Sequence, residues 1–498
     1  MTIIIKTEGI VKRFFKYFLF AGFTKAIFYA IIANRKALHE KKYARYFRGN
    51  THRKETDMKT HANALLDFIQ DSPTAYQAVE ALGRILKEHG YTQLQEQDEW
   101  VLAPKGAYFV TRNGSSLIAF RLPERPEEVV GYHIAATHAD APCFKLKPIF
   151  EQEAAGGCVR WNVEKYGGAI HSSWMDRPLS VAGRVAVSDE SGIRMRPVHL
   201  KQDMAVIPNV AIHMNRKINE GVPLDPQVDM LPLAGIQGEG EGLLSAVAQE
   251  LGIRSESIVS HDLFLYARER GSVWGASGEM ISAPRLDDLM CTYAALQGFL
   301  GTSHPHTLPV LAVFDNEEIG SETRQGAASS FLRDTITRVD ESLSKNDSDT
   351  QGLYRRIAAS MLVSADNAHA VHPNHPEYAD KQNAPVVNGG VVIKYNAAQN
   401  YATDALSAAL FCRMCEDAGV KTQPYTNRSD LRGGSTLGHI AVSDLACMTL
   451  DIGLAQLAMH SAYETAGVRD LDSLCRAFGS FYGCSLTPLA DGSVRIEK

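Results

Sequence analysis

Two histidines and a run of carboxylates stand at the ends of apolar stretches along this 498-residue chain. The segments are HIAATHAD (His133–Asp140), SAPRLDD (Ser282–Asp288), PVLAVFDNEE (Pro309–Glu318), SMLVSAD (Ser360–Asp366) and AQLAMHS (Ala455–Ser461). A buried strand that ends in such a group delivers it to the carboxyl edge of a sheet, where open α/β sheets bind ligands. Imidazoles mixed with carboxylates suit zinc, manganese or cobalt. An all-cysteine set would point to structural zinc, and an all-oxygen set to magnesium or calcium. A pair of such ions about 3.5–4 Å apart needs a bridging carboxylate and activates water for hydrolysis.

Asp287 is a candidate bridge, because Pro284 and Arg285 fix a turn just before it. Glu317 and Glu318 are adjacent at a strand's end and so point in different directions. One can bind metal while the other stays free as general base. His138 and Asp140 form an HxD pair, and a metal-binding imidazole usually has a carboxylate partner that fixes its tautomer. No HExxH helix and no GxSxG elbow occurs, so the one-zinc protease helix and the serine-hydrolase turn are both missing. Ser435 sits in a Gly-rich loop, RGGSTLG, which suits presenting backbone N–H groups better than a nucleophile.

The elements that position these groups follow from pattern. Residues 60–90 read as two helices broken at Asp71-Ser72-Pro73-Thr74. Residues 107–122 read as a hairpin turning at Asn113-Gly114, and a buried strand, VVGYHIAATH, follows. From about 148 to 282 short alternating segments such as Leu179–Asp189, separated by turn residues, read as an all-β insertion. The loop GIQGEGEG (Gly235–Gly242) lacks the Gly-Lys-Ser/Thr of a phosphate loop. After Pro284 the α/β rhythm returns. LMCTYAALQGFLG is helical, PVLAVFD a strand, and GSETRQGAASSFLRDT starts a helix. ASMLVSA, VVIKY and CMTLDIG are strands, and 403–418 is a helix. Asp340–Gly352 reads as a polar surface loop. The catalytic unit is therefore split, with 58–147 and 284–498 folding together around an inserted β-rich domain, 148–283.

Composition is that of an ordinary soluble protein, 45% hydrophobic and 22% charged, and the length favours two domains. The net charge of −6 does not favour nucleic acid. Residues 1–57 are foreign in character: 13 Lys+Arg against 4 Asp+Glu, a net +9, with −15 on the remainder. The run Phe14–Ile32 contains Lys16 and Lys25, each costing about 2.5–3.5 kcal/mol in a membrane's centre. An interfacial helix or targeting presequence fits better than a span. The plainest reading is a folded protein that begins at Met58, with membrane contact only if residues 1–57 are retained. The eight cysteines are no disulfide scaffold, and the lone CxxC, Cys412–Cys415, falls inside a helix pattern. A reducing, cytoplasmic setting is expected.

The motifs THADAP, YGGAIHSSWMDRPL, AIHMNR, APRLDD, DNEEIGS, SADNAHAVHPNH, VIKYN and QLAMHS together resemble those of the aspartyl aminopeptidases, in order, from about Met58 to near the C-terminus. The resemblance implies a zinc-peptidase-like α/β catalytic domain with an inserted dimerisation domain, assembling as a tetrahedral dodecamer. It implies that His138 and Asp366 bind one ion and Glu318 and His460 the other. Asp287 would bridge, and Glu317 would be the general base, moving a proton from the attacking water to the leaving amine. His213 would reach a neighbouring subunit's site and stabilise the tetrahedral intermediate. Lys394 would face the acidic side chain of the substrate's first residue, as a point charge for a carboxylate. His439, in GGSTLGHI, is a rival to His460. His460 is preferred because it follows an apolar run, whereas His439 lies in a Gly-rich loop. The expected activity is removal of N-terminal Asp or Glu from peptides with two divalent ions, zinc before manganese or cobalt. A broad-specificity aminopeptidase, an amidohydrolase acting on acylated amino acids, and a non-catalytic assembly protein are the alternatives.

Overall fold

Every residue of the strand Gly131–His138 is buried, as expected where both faces of a parallel sheet are covered. This strand is the centre of a nine-stranded sheet in a computed structural model that describes residue 58 and residues 60–343, 350–431 and 433–498. The basic leader, residues 1–57, lies outside the described residues. The unit described below is His61–Lys498.

From one edge the sheet runs Thr92–Leu94, Ala107–Arg112, Ser116–Arg121, Thr307–Phe314, Gly131–His138, Met361–Ala365, Met448–Gly453, Val391–Lys394 and Thr422–Tyr425. The four strands from Thr307–Phe314 to Met448–Gly453 are parallel. Val391–Lys394 runs antiparallel to Met448–Gly453. Register sets the site. Phe314 lies opposite His138, and Ser364 opposite Ala136, so Asp315 and Asp366 emerge at the edge where His138 ends. The hairpin forms as expected, with Asn113 and Gly114 at φ of 58° and 67°.

Helix Leu286–Gly301 packs on these central strands and against helix Val468–Tyr482. It is buried almost all round, as a helix apolar on every face must be. A methyl group at Gly298 would lie 2.4 Å from Phe478 Cβ, so the two helices cross more closely there than any other residue allows.

A six-stranded antiparallel sheet carries its own core, including Phe144, Trp161, Val181 and Leu263. Its strands run from Cys143–Ala154 to Ile258–Ala267. Two features differ from the all-β texture. The helix Leu243–Leu251 follows the Gly-rich loop and packs Leu243 and Val247 into that core. Strands Ser272–Trp274 and Met280–Ala283 leave this sheet for another of five strands, with Glu464–Gly467, Ala455–Leu457 and Ala368–His369.

Two further expectations are corrected. GSETRQGAASSFLRDT does not open directly into a helix. Turns fill 320–330 and the helix is Phe331–Leu343. Asp340–Gly352 is not all surface loop, because helix Thr350–Ala358 begins within it and Asp340 is buried. Asp340 accepts hydrogen bonds from Tyr132 and from Arg356, whose Nη2 lies 2.6 Å away. That pairing lets a carboxylate sit inside a helix-to-sheet contact. All eight cysteines are free, and Cys412 and Cys415 lie in helix Ala405–Asp417. Among the described residues no helix is long and apolar enough to cross a membrane.

His133, buried in the central strand, stacks on Phe481 with ring centroids 4.6 Å apart. Its Nδ1 donates to the Phe481 carbonyl at 2.6 Å, and Nε2 is buried without a partner. Burial pushes its pKa down to about 4. A depressed imidazole contributes stability that is complete above its unfolded pKa of 6.5 and is lost as pH falls towards 4. The loss is about 3 kcal/mol. His133→Gln is therefore expected to flatten the fall in melting temperature across that interval. An unchanged slope would assign the acid sensitivity elsewhere.

Candidate metal centre

The Asp140 carbonyl fixes the ring of His138 by accepting from Nδ1 at 3.1 Å, with Asp140 Oδ1 3.4 Å away. Nε2 is thereby turned into the crevice, 3.6 Å from Asp287 Oδ1 and 3.9 Å from Asp366 Oδ1. Asp287 stands at the start of helix Leu286–Gly301, just after Arg285 at φ 57°. The turn is anchored by the Arg285 guanidinium, which donates to the Ser72 and Ile69 carbonyls, each at 3.1 Å. The second Asp287 oxygen, Oδ2, lies 3.6 Å from His460 Nε2. That same nitrogen is 3.4 Å from Glu318 Oε2.

The donor atoms therefore gather into three groups, His138–Glu317–Glu318, His138–Asp287–Asp366 and Asp287–Glu318–His460, each with all its atoms within 4.8 Å of one another. The last two share Asp287, which offers a different oxygen to each histidine. Only part of this constellation arrives on the edge of the main sheet. His138, the Asp315–Glu318 turn and Asp366 do so. Asp287 opens a helix, and His460 follows strand Ala455–Leu457 of the five-stranded sheet.

The site fits metal cations. Asp287 Oδ1 and Glu318 Oε1 are buried with no hydrogen-bond partner, a costly condition for a carboxylate unless a cation satisfies it. Burial, reinforced by the carboxylates of Asp366, Asp140 and Asp287 and opposed by His138, pushes Glu317 up to about 8. Burial likewise raises Asp366 to about 6 against the pull of Lys394. Burial opposes ionisation of Asp287 too, but the imidazoles of His138 and His460, each 3.6 Å away, hold its pKa below the ordinary range. Carboxylates crowded in this way ask for positive charge. Imidazole nitrogens with carboxylate oxygens suit zinc.

Residues 68–482 match the family profile described as Aminopeptidase I zinc metalloprotease (M18). The chain belongs to this family. It is a metalloaminopeptidase of the M18 zinc type. It is 42% identical over 427 residues to the probable M18 family aminopeptidase 2 of Clostridium acetobutylicum, covering 84% of this chain and 98% of that one. A Pseudomonas aeruginosa protein of the same description is 39% identical, over 85% and 98% of the two chains. Among solved structures, the cryo-EM structure of the Ape4 and Nbr1 complex aligns with a TM-score of 0.82 at 35% identity, covering 86% of each chain. The S. cerevisiae mApe1 dodecamer aligns at 0.73 and 28% identity, over 84% of this chain and 96% of that one. The architecture is thus the α/β zinc-peptidase fold of M18 aminopeptidases.

Of the remaining candidates, Lys394 is drawn to the cluster and His213 is not. Lys394 ends its strand almost fully buried, with Nζ 3.3 Å from Asp366 Oδ2. Burial disfavours its ammonium, yet Asp366, with Tyr401 and Asp451, holds its pKa above the ordinary value. His213 lies in an exposed turn of the segment between Ile207 and Met230 and joins none of the three groups. His439 is also outside them, and it lies in the first turn of helix Gly438–Leu445 rather than in a loop. Of His439 and His460, it is His460 that joins the cluster.

Two carboxylates do more here than their sequence context indicates. Asp140 supports His138, and its side chain also accepts from the backbone N–H groups of Glu317 at 3.1 Å and Glu318 at 3.2 Å. Glu464, 2% exposed, accepts from Asp287 N at 3.0 Å and His460 N at 2.7 Å. A glutamate inside the small-residue strand ETAG was the available signal for Glu464, because an isolated buried carboxylate needs donors.

Proposed function

We propose that this chain removes acidic residues, Asp and Glu, from the N-termini of peptides by a two-ion hydrolysis. The observation that carries the two-ion reading is Asp287, whose separate oxygens face His138 and His460. His138 and Asp366 would hold one ion and Glu318 and His460 the other, with Asp287 between them. When bound, the ions polarise the scissile carbonyl and lower the pKa of the attacking water. Glu317, held by Asp140 through its backbone N–H, takes the water's proton and returns it to the departing amine. Asp140 and Glu464 keep the ligand-bearing turns in place while this happens.

Lys394 supports the acidic preference as a buried cation beside Asp366, with Tyr401's ring 5.5 Å from Nζ. Its contact with Asp366 favours a second reading, a broad-specificity aminopeptidase in which Lys394 serves only that carboxylate. Cleavage rates on Asp-, Glu-, Leu- and Lys-anilides, before and after chelation and after zinc or manganese is restored, separate the two. Metal-dependent cleavage favouring Asp and Glu supports the proposal. Metal-dependent cleavage with equal rates keeps the chemistry and gives the site to the second reading. No cleavage with any metal sinks both.

Lys394→Ala sharpens the distinction. The ratio of Asp to Leu cleavage is expected to fall about 100-fold, as for loss of one member of a desolvated charge pair. A uniform fall on all substrates would mean that Lys394 acts through Asp366 alone.

Self-association as a dodecamer, with 148–283 as the pairing domain, completes the proposal. Its support is the mApe1 dodecamer and the exposed apolar residues around His213. Val210, Ile212, Met214, Val222 and Val228 all face solvent in one short segment, Met214 at 84% exposure. Large apolar side chains exposed together in one segment suit a surface that a partner copy covers.

A further inference from the structure

The segment Tyr166–Trp174 leaves the six-stranded sheet and runs against both halves of the metal cluster. Both its ends are rooted in that sheet. Tyr166 ends strand Cys158–Tyr166 and packs edge-on to Phe264 at 5.7 Å, and Trp174 is part of the sheet's core. On one side the Tyr166 hydroxyl donates to Asp140 Oδ2 at 2.7 Å and accepts from Asn316 Nδ2 at 2.8 Å. Asp140 is the carboxylate that holds Glu317 and Glu318 by their backbone N–H groups. The hydroxyl therefore braces the DNEE turn twice, through Asp140 and through Asn316.

On the other side the Gly168 carbonyl lies 3.2 Å from His460 Nδ1, and Ile170 N donates to the His460 carbonyl at 2.9 Å. Ser173 Oγ accepts from Ala462 N at 2.9 Å and donates to the Ile170 carbonyl. Gly167, at φ 71°, lets the segment pass beside Glu318, whose Cβ would be 3.2 Å from a side chain there.

We infer that this segment is a strap through which the inserted sheet sets the spacing of the metal ligands, and that Tyr166 is its chief positioning residue. The inference rests on the two-ion reading. Hydrogen-bond partners one step outside a metal's ligands fix ring orientation and ligand direction, and their loss costs about 10–100-fold in affinity or activity. Tyr166 acts through Asp140 and Asn316, which hold the Glu317–Glu318 turn, and bonds none of the ligand side chains itself, so deleting its hydroxyl should loosen the site and leave the sheet's packing alone.

The test is Tyr166→Phe in the full-length zinc-loaded chain, with Tyr76→Phe as control. Tyr76 carries its hydroxyl 3.4 Å from Asp262 Oδ2 and bonds no metal ligand. Tyr166→Phe is expected to release zinc to a chromophoric chelator about 10–100-fold faster and to lower kcat by a similar factor. KM should stay within about twofold, and the melting temperature of the zinc-free protein within about 2 °C. Tyr76→Phe should match the parent in all four. Parent-like zinc retention and kcat in Tyr166→Phe overturns the inference, as does an equal loss in Tyr76→Phe. A parent chain that holds no zinc overturns the functional reading and this inference together. If Tyr166→Phe does not fold, Ser173→Ala tests the His460 side: faster zinc release supports the strap, and parent-like release overturns it.

Discussion

Glu317→Gln is expected to lower kcat about 10²–10⁴-fold, the usual worth of a positioned general base, while the protein keeps its full complement of zinc. The substitution holds shape and hydrogen-bonding reach but cannot take a proton. Its site explains why Glu317 suits the task. It follows Asn316, at φ 62°, in the turn that brings Glu317 and Glu318 to the cluster. Glu318 goes to His460. Glu317 stays beside His138, and burial makes its carboxylate more basic than usual. Elemental analysis beside kcat decides between two roles, because Glu317 also lies within ligand distance in one of the three groups. Loss of one zinc equivalent would make Glu317 a ligand. Full zinc with undiminished turnover would remove it from the mechanism.

What the sequence shows and what it hides divide along physical lines. Strand ends are legible because an apolar run closing on His138, Asp315 or Asp366 is a local signal, and parallel register does the rest. The pairing of Asp287 with His460 is not local. It depends on Met280–Ala283 and Glu464–Gly467 lying side by side, which no window of residues reports. Glu464 is hidden for the same reason: its two donors, Asp287 N and His460 N, come from separate turns. The helix Leu243–Leu251 was hidden because its nine residues follow a Gly-rich loop inside a segment dominated by strand alternation. Asp340 reads as loop because its polarity is visible in the sequence, whereas its partners Tyr132 and Arg356 become neighbours only in the fold. Tyr166 has no chemical signature at all beyond the motif it opens. Its importance is a property of two hydrogen bonds.

Mixed assembly gives the second large effect. His213→Ala is expected to lower kcat about 10²–10³-fold, as for removal of one donor to a developing oxyanion, although His213 is solvent-exposed and outside the ligand cluster of its own chain. If His213 serves a neighbour, a chain carrying His213→Ala retains a complete Glu317 site that lacks only a donated histidine. A chain carrying Glu317→Gln can donate that histidine but cannot use one. Co-expressing the two inactive chains in equal amounts should then restore activity. With random pairing across a two-fold interface, half the pairs are mixed and each mixed pair has one intact site, so about a quarter of parental activity returns. Differential tags on the two chains isolate the mixed species, and its rate on an Asp-anilide is the readout. Activity no greater than the sum of the separate variants would confine His213 to its own subunit or remove it from catalysis. Recovery near a quarter would make the exposed segment around His213 part of the active site of its partner, and would explain why an aminopeptidase presents Val210, Ile212 and Met214 to solvent.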